Sequence, residues 1–270
     1  MPENLKFLAF DTSTDRLSVA VTDGTRVWQH AGPGGAQAST GLIPAVMHLL
    51  AQAGLELGDL RAVVFGRGPG SFTGLRTACS VAQGLAFGAR RGQGIDVLPV
   101  HTLMAVAEEA RFQQAQARGS ERSLRLCALL DARMDEMYVQ AYSVSAGVWQ
   151  ADSGCTLVRP ENLQPDARTE LLCGNVFSVY GKRLAHAAGM EQLEAYPTAT
   201  ALLRLAPALA AGGQCVDAAL ALPLYVRDKV ALTTEERAVV KAQKAQAEAP
   251  APTTAGQPAT PSLRSAVRLG

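Results

Sequence analysis

The sequence predicts an α/β protein built as two related halves, each a mixed sheet flanked by helices. Three observations lead there. Short apolar, β-branched runs alternate with longer stretches of helical periodicity along residues 5–211. The pattern strand, Asp, polar turn, strand occurs at residues 5–21 and again at 124–144, and each Asp has a valine eight positions on (Asp11 with Val19, Asp131 with Val139). An apolar run ending in glycine also recurs, at Val63-Val64-Phe65-Gly66 and at Leu171-Leu172-Cys173-Gly174-Asn175. A repeat of domain-sized period means two halves rather than a short-period solenoid.

Composition sets the outer limits. A chain of 270 residues has room for two modest domains, and 48% hydrophobic with 18% charged residues is ordinary for a globular protein. The net charge of +1 leaves no electrostatic footprint for a stand-alone nucleic-acid binder. Five cysteines, at 79, 127, 155, 173 and 215, form no C-x-x-C pair and are odd in number. They read as reduced core thiols of a cytoplasmic protein. The opening Met1-Pro2-Glu3-Asn4-Leu5-Lys6 lacks a signal peptide's apolar core, and no apolar run approaches a membrane span.

In chain order, residues 5–10 read as a strand that ends at Asp11-Thr12-Ser13-Thr14-Asp15, a polar turn. Leu17, Val19 and Val21 alternate with smaller or polar residues, a half-buried strand. Asp23-Gly24 signals a hairpin, and residues 25–30 return as a third strand before the loop Pro33-Gly34-Gly35. Residues 40–53 read as a helix with Leu42, Val46, Leu49 and Leu50 on one face and Gly54 as its stop; Pro44 is compatible only within the first turn.

Next comes the most unusual stretch. Ala62-Val63-Val64-Phe65 reads as a buried strand, then the chain runs Gly66-Arg67-Gly68-Pro69-Gly70-Ser71-Phe72-Thr73-Gly74, then turns helical over residues 75–89. Ser71 or Thr73 can cap that helix. A strand, a glycine loop and a capped helix start can cradle an anion. A tight structural or interface turn explains the same residues. The spacing is neither that of a P-loop nor of the dinucleotide fingerprint, because Gly68, Gly70 and Gly74 read G-x-G-x-x-x-G. Along the helix, Gly74, Ala78, Ala82 and Ala86 share one face, widened by Leu75, Cys79 and Leu85. That flat row can pack on this chain's own sheet or on a second subunit.

A strand at 95–100 and a helix from 101 or 102 to about 116 follow. The second half opens with strands at 124–130 and 137–144. Residues 198–211 are helical, with Pro207 expected to kink or break them. From about residue 235 the composition is Ala, Gln, Lys, Thr and Pro, which cannot bury a core and reads as a disordered tail. The expected division is residues 1–105, 106–232 and a tail at 233–270.

The stretch from Gly66 to Arg76, with Ala82-Gln83-Gly84-Leu85-Ala86, closely resembles the signature of the bacterial TsaB (YeaZ) family. Asp11-Thr12-Ser13-Thr14, His101-Thr102-Leu103-Met104, the run from Asp131 to Tyr138, and Leu222-Pro223-Leu224-Tyr225-Val226-Arg227 are similar to family segments in the expected order. The resemblance covers about residues 5 to 231. It implies the actin-like fold of the Hsp70 and sugar-kinase superfamily, and a role in making N6-threonylcarbamoyladenosine at position 37 of tRNAs that read ANN codons. It implies a partner, the TsaD transferase, joined by the ATPase TsaE and supplied with adenylate by TsaC. The helices at 40–53 and 73–89 would form the interface, with Gly68, Pro69, Gly70, Ser71, Phe72, Thr73, Gly74, Leu75, Ala78, Ala82 and Ala86 beside Leu42, Val46 and Leu49. A homodimer would use the same surface when TsaD is absent, and tRNA would be met only within the complex.

Chemistry is present in outline and missing in detail. In an actin-like fold the turn Asp11, Thr12, Ser13 can hold a phosphate; the same residues can also simply satisfy a tight turn. Asp131 is equally ambiguous, but Ala132, Arg133 and Met134 stand where a phosphate cradle wants Gly, Ser or Thr. TsaD binds metal with a His-x-x-x-His pair on one helix. Here His30, His48, His101 and His186 are far apart and read as surface or capping residues. The expectation is therefore a subunit with no catalytic or metal-binding residues of its own. Any ATP or ADP would bind at the complex. The alternative is an independent ATPase or small-molecule kinase of the same fold.

Overall fold

β1 (Phe7–Asp11) is buried along its whole length and sets the frame of the first half. The computed structural model describes residues 5–184, 187 and 189–227; His186 and the tail at 233–270 lie outside the described residues. β2 (Arg16–Thr22) and β3 (Val27–Pro33) continue from β1 as an antiparallel meander. The loop between them takes four residues, so β3 starts two positions later than expected. Asp23 explains the length: its Oδ1 accepts from the amides of Thr25 (2.8 Å) and Arg26 (2.7 Å), an Asx-type turn.

α1 (Ala38–Ala53) begins two residues early, which puts Pro44 in the second turn rather than the first. The helix continues because Pro44 lies on the exposed side, where only one backbone bond is lost. Gly54 ends it in the left-handed conformation (φ 65°), as expected. β4 (Ala62–Gly68) runs three residues past its apolar core and stays paired with β5 (Asp96–His101) across a bulge at Gly66/Gly68. α2 (Phe72–Gly88) starts earlier than residue 75, capped by Ser71, whose Oγ accepts from the Gly74 amide (3.5 Å); Thr73 is not the cap. α3 (Thr102–Arg118) follows β5, and its Leu103, Val106, Ala107 and Ala110 are buried in the core of the second sheet with Leu126, Ala128 and Leu171. β4 is parallel to β1 and to β5, so the sheet order is β3-β2-β1-β4-β5.

The second half repeats this plan. β6 (Leu124–Arg133), β7 (Glu136–Ser145) and β8 (Val148–Ala151) form an antiparallel meander, with β9 (Thr156–Val158) also on β7. β10 (Leu171–Gly174) is parallel to β6; after the single turn α4 (Phe177–Tyr180), β11 (Glu191–Glu194) is parallel to β10. The order β8-β7-β6-β10-β11 matches the first sheet strand for strand and direction for direction. The two mixed sheets with flanking helices are the actin-like arrangement.

α5 (Ala199–Ala211) corrects two expectations. It runs unbroken through Pro207, which again lies on the exposed side. It also packs on the first sheet, not the second: Leu202, Leu205 and Ala206 bury themselves with Phe7, Ala9, Val64 and Leu98. A boundary at 105/106 therefore does not separate the packing units, because the first sheet's second face needs apolar cover that only a later segment supplies. The other face is covered by α1 and α2, where Leu42, Val46, Leu49, Ala78, Ala82 and Ala86 meet Leu8, Phe10, Val63 and Phe65. Each large apolar side chain so buried contributes about 1.5–3 kcal/mol. α3 and α5 are also joined by Glu108, which is 2% exposed and takes Nε bonds of 2.7 Å from both Arg111 and Arg204.

Candidate functional site

The glycine stretch is explained by what touches it. Asp11, Thr12 and Ser13 form a buried turn at the carboxyl end of β1. Asp11 Oδ1 accepts from the Ser13 amide (2.8 Å) and hydroxyl (2.6 Å). Thr12 Oγ1 donates to the Gly74 carbonyl (2.7 Å), and the Ser71 amide donates to the Ser13 carbonyl (2.7 Å). A Cβ on Gly66 would overlap Asp11 Oδ2, and one on Gly74 would overlap the Thr12 carbonyl oxygen. The glycines are thus needed for close approach, and the approaching atoms belong to this chain. The stretch is a tight structural turn filled by the protein itself. Asp11, Thr12 and Ser13 are packed against it and buried.

Burial leaves a mark on Asp11. It is fully buried, and its Oδ2 has no hydrogen-bond partner among the described residues. Desolvation pushes its pKa up to about 6 against the pull of the two Ser13 bonds.

The corresponding turn of the second half is built otherwise. Asp131 Oδ1 accepts from the Arg133 amide (2.8 Å) and the Tyr180 hydroxyl (2.9 Å), while Oδ2 faces Arg133 at 3.2 Å. The hairpin then passes through Arg133, Met134 and Asp135, all left-handed (φ 62°, 56° and 60°). Three consecutive non-glycine residues there store strain.

The expected interface residues divide sharply. Leu42, Val46, Leu49, Gly68, Pro69, Gly74, Leu75, Ala78, Ala82 and Ala86 are buried within the single chain. The Gly/Ala row faces its own sheet: small residues let α2 lie close on β4, so this row is core and not a free face. Of the expected set only Ser71, Phe72 and Thr73 are exposed, with Gly70 half-buried. What the two helices do present outward is Ile43 (48% exposed) and Met47 (52%) on α1 and Phe87 (66%) on α2, with the small residues Ser80 and Gly84 between. The signal for this second face was in the sequence: α1 is apolar at 42, 46 and 49 and again at 43 and 47, one stripe more than a singly buried helix needs.

His101 is half-buried and stands at the N-cap position of α3, as one of the expected readings had it, but without a side-chain cap bond; its Nδ1 lies 3.3 Å from the Tyr142 hydroxyl of the second half. Burial first, and the charge of Arg67 second, push its pKa down to about 4, so the ring is neutral at physiological pH. Among the described residues, no cluster of three or more His, Cys, Asp or Glu is placed to hold a metal ion. No described helix is long and apolar enough to cross a membrane.

Comparison with known proteins places this geometry. A family model described as TsaD: tRNA N6-adenosine threonylcarbamoyltransferase matches residues 34–247. The tRNA threonylcarbamoyladenosine biosynthesis protein TsaB of Escherichia coli K12 is 30% identical over 236 residues, spanning 84% of this chain and 96% of that protein. Its namesake from Haemophilus influenzae is 40% identical over 139 residues, half of this chain and 53% of the relative. Among solved structures, YeaZ from Pseudomonas aeruginosa superposes with a TM-score of 0.70 at 34% identity, over 82% of this chain and 99% of the other.

Proposed function

We propose a function from one premise: this chain belongs to the TsaB (YeaZ) family. It takes part in forming the threonylcarbamoyladenosine of tRNA, the product in its relatives' name. Its part is that of a non-catalytic activating subunit. It pairs with the TsaD transferase, supports transfer of threonylcarbamoyl to adenosine 37 of ANN-reading tRNAs, and meets tRNA only in that complex. TsaE joins the pair, TsaC supplies the adenylate, and the setting is the cytoplasm. Nucleotide, where bound, sits at the complex.

The observation that carries this reading is the exposed apolar face of α1 and α2. Ile43, Met47 and Phe87 stand out on adjacent helices, and a contiguous patch of this kind marks a protein interface. Two copies can close on it when TsaD is absent. The sealed Asp11 turn and the strained Asp131 hairpin support the same reading, since neither presents a phosphate cradle.

The test is co-purification with the TsaD transferase, followed by threonylcarbamoylation of tRNA with and without this chain. Met47→Ser and Phe87→Ser should each weaken TsaD binding about tenfold, an energy of about 1.4 kcal/mol, while the melting temperature holds. Transfer that proceeds equally well without the chain would refute the subunit role. Steady ATP turnover by the pure chain, abolished in Asp11→Ala, would favour the independent ATPase or kinase.

A further inference from the structure

α1 and α2 lie side by side on one face of the first sheet, α1 over β2 and β3, α2 over β4 and β5. A third element flanks α2 on the side away from α1. Val216 pairs with Val97 on the outer edge of β5, through bonds of 2.9 and 2.8 Å. A short 3-10 turn (Ala218–Leu220) follows, started by Asp217, whose Oδ1 accepts from the Ala219 amide (2.8 Å). Ala218 and Ala221 are buried in the same core as Ala78, Cys79 and Ala82 of α2. The Ala221 carbonyl accepts from Cys79 Sγ (3.2 Å) and Gln83 Nε2 (3.0 Å), and the Leu224 amide donates to the Arg67 carbonyl (2.7 Å). Tyr225 then packs on Phe72, with ring centroids 5.2 Å apart. The segment is thus moored along α2 from Gln83 back to Phe72.

What it shows outward matches the helices. Leu220 is 69% exposed, Leu222 63% and Tyr225 43%. With Phe72 and the three side chains already named on α1 and α2, seven of the eleven large apolar side chains exposed among the described residues stand on these adjoining elements. Ser80 and Gly84 of α2 form a low floor between the outer two. Charge is almost missing. Across Ala38–Ala53, Phe72–Gly88 and residues 218–225, Arg76 is the only Asp, Glu, Lys or Arg, in a chain that is 18% charged. Its guanidinium lies 3.8 Å from the centroid of the Phe72 ring, and its Nε donates to the Tyr225 hydroxyl (3.1 Å). No carboxylate pairs with it among the described residues.

We propose that residues 218–225 are a third wall of the transferase interface, and that Arg76 anchors it by pairing with a carboxylate of that partner. The inference rests on the α1–α2 face being the transferase's contact, and enlarges it. A stable interface takes roughly 800 Å² a side, and Ile43, Met47 and Phe87 supply only part of that. Interface cores are poor in charge and rich in aromatic residues, Met and Arg, which is the composition of these three elements. The complement follows from it. The occupant lays an apolar ridge over Ser80 and Gly84 and brings an Asp or Glu to the Phe72 end. Phe72 and Tyr225 already hold Arg76 in one geometry, so little side-chain freedom is lost when it pairs.

Calorimetry of the full chain against the TsaD transferase tests it, at low and high salt, with the melting temperature of each variant as control. Leu222 is exposed, so Leu222→Ser should keep the melting temperature and weaken binding about fivefold. Arg76→Glu should weaken it by about tenfold or more, and Arg76→Gln by less, because only the first repels a carboxylate. Added salt should weaken the wild type more than Arg76→Gln, since it screens the pair. Met47→Ser separates this inference from the reading beneath it. If Met47→Ser weakens binding while Leu222→Ser and Arg76→Glu leave it unchanged, the α1–α2 contact stands and the third wall is overturned. If the wild type does not bind the transferase at all, both fall. Should the two variants lose self-association alone, with transferase binding unchanged, the segment belongs to a second copy and the inference is overturned as well.

Discussion

The turn after β1 and the turn after β6 occupy the same place in two sheets of the same topology, and they are made of opposite materials. The first is small, polar and buried. Asp11 is bonded on one oxygen, unpartnered on the other among the described residues, and hemmed in by glycines that leave no room for a Cβ. The second is bulky and strained. Both oxygens of Asp131 are engaged, and the chain passes through three left-handed residues that carry full side chains. A repeat can therefore preserve strand order and the strand-end acid while the turns diverge completely. Pairing in a sheet depends on backbone groups and an alternating apolar face. A turn depends on which atoms approach it.

The comparison can be broken experimentally, beginning with the largest effect. Gly74→Ala should cost about 3 kcal/mol or more, beyond ordinary overpacking, because the new Cβ meets a backbone oxygen that cannot move independently. Urea denaturation measures it; a loss within about 0.5 kcal/mol, typical of a surface site, would mean that the first turn is not clamped.

Asp11 comes next. Its folded pKa of about 6 lies above the ordinary 3.8, so the folded state binds the proton more tightly. Stability contributed by the neutral form is present below about pH 4 and is lost as pH rises through 6. The wild type should lose up to about 3 kcal/mol relative to Asp11→Asn between pH 4 and pH 7, from roughly 1.36 kcal/mol per unit. Parallel pH–stability curves for the two proteins would show that the carboxylate is stabilised after all.

Asp131→Asn should cost only about 0.5 kcal/mol, since an amide oxygen can still accept from Arg133 and Tyr180 and the Arg133 side chain is 77% exposed. A cost above about 2 kcal/mol, expected only where a buried charge loses its partner, would put the two acids on an equal footing. The smallest effect has the opposite sign. Met134→Gly should raise stability by a few tenths of a kcal/mol, because glycine takes φ 56° without strain while the lost contact with Arg227 offsets part of the gain. A clear loss would mean that the Met134 contact outweighs the strain.

Much of this was legible in the residues themselves. The apolar runs at Ala62-Val63-Val64-Phe65 and Leu171-Leu172-Cys173 both read as strands ending in glycine, and β4 and β10 do occupy matching places. The alternation of Leu17, Val19 and Val21 placed β2, and Gly54 stopped α1 where it should. These depend on local periodicity, which a linear chain carries in full.

What the sequence alone determined, then, is the order and type of the elements, the internal repeat and the family. Only the tertiary structure decided which surface each element shows. The row Gly74, Ala78, Ala82, Ala86 reads the same whether a helix lies on its own sheet or on a partner; the structure buries it on β4 and turns Phe87 outward. Pro207 could end a helix or ride on its exposed side, and only the packing of α5 on the first sheet settles which. The glycines of the loop are needed because Asp11, Thr12 and Leu224 press against them from remote parts of the chain. Close approach between distant segments leaves no periodic trace in either one, so the reason for those glycines appears only when the chain is folded.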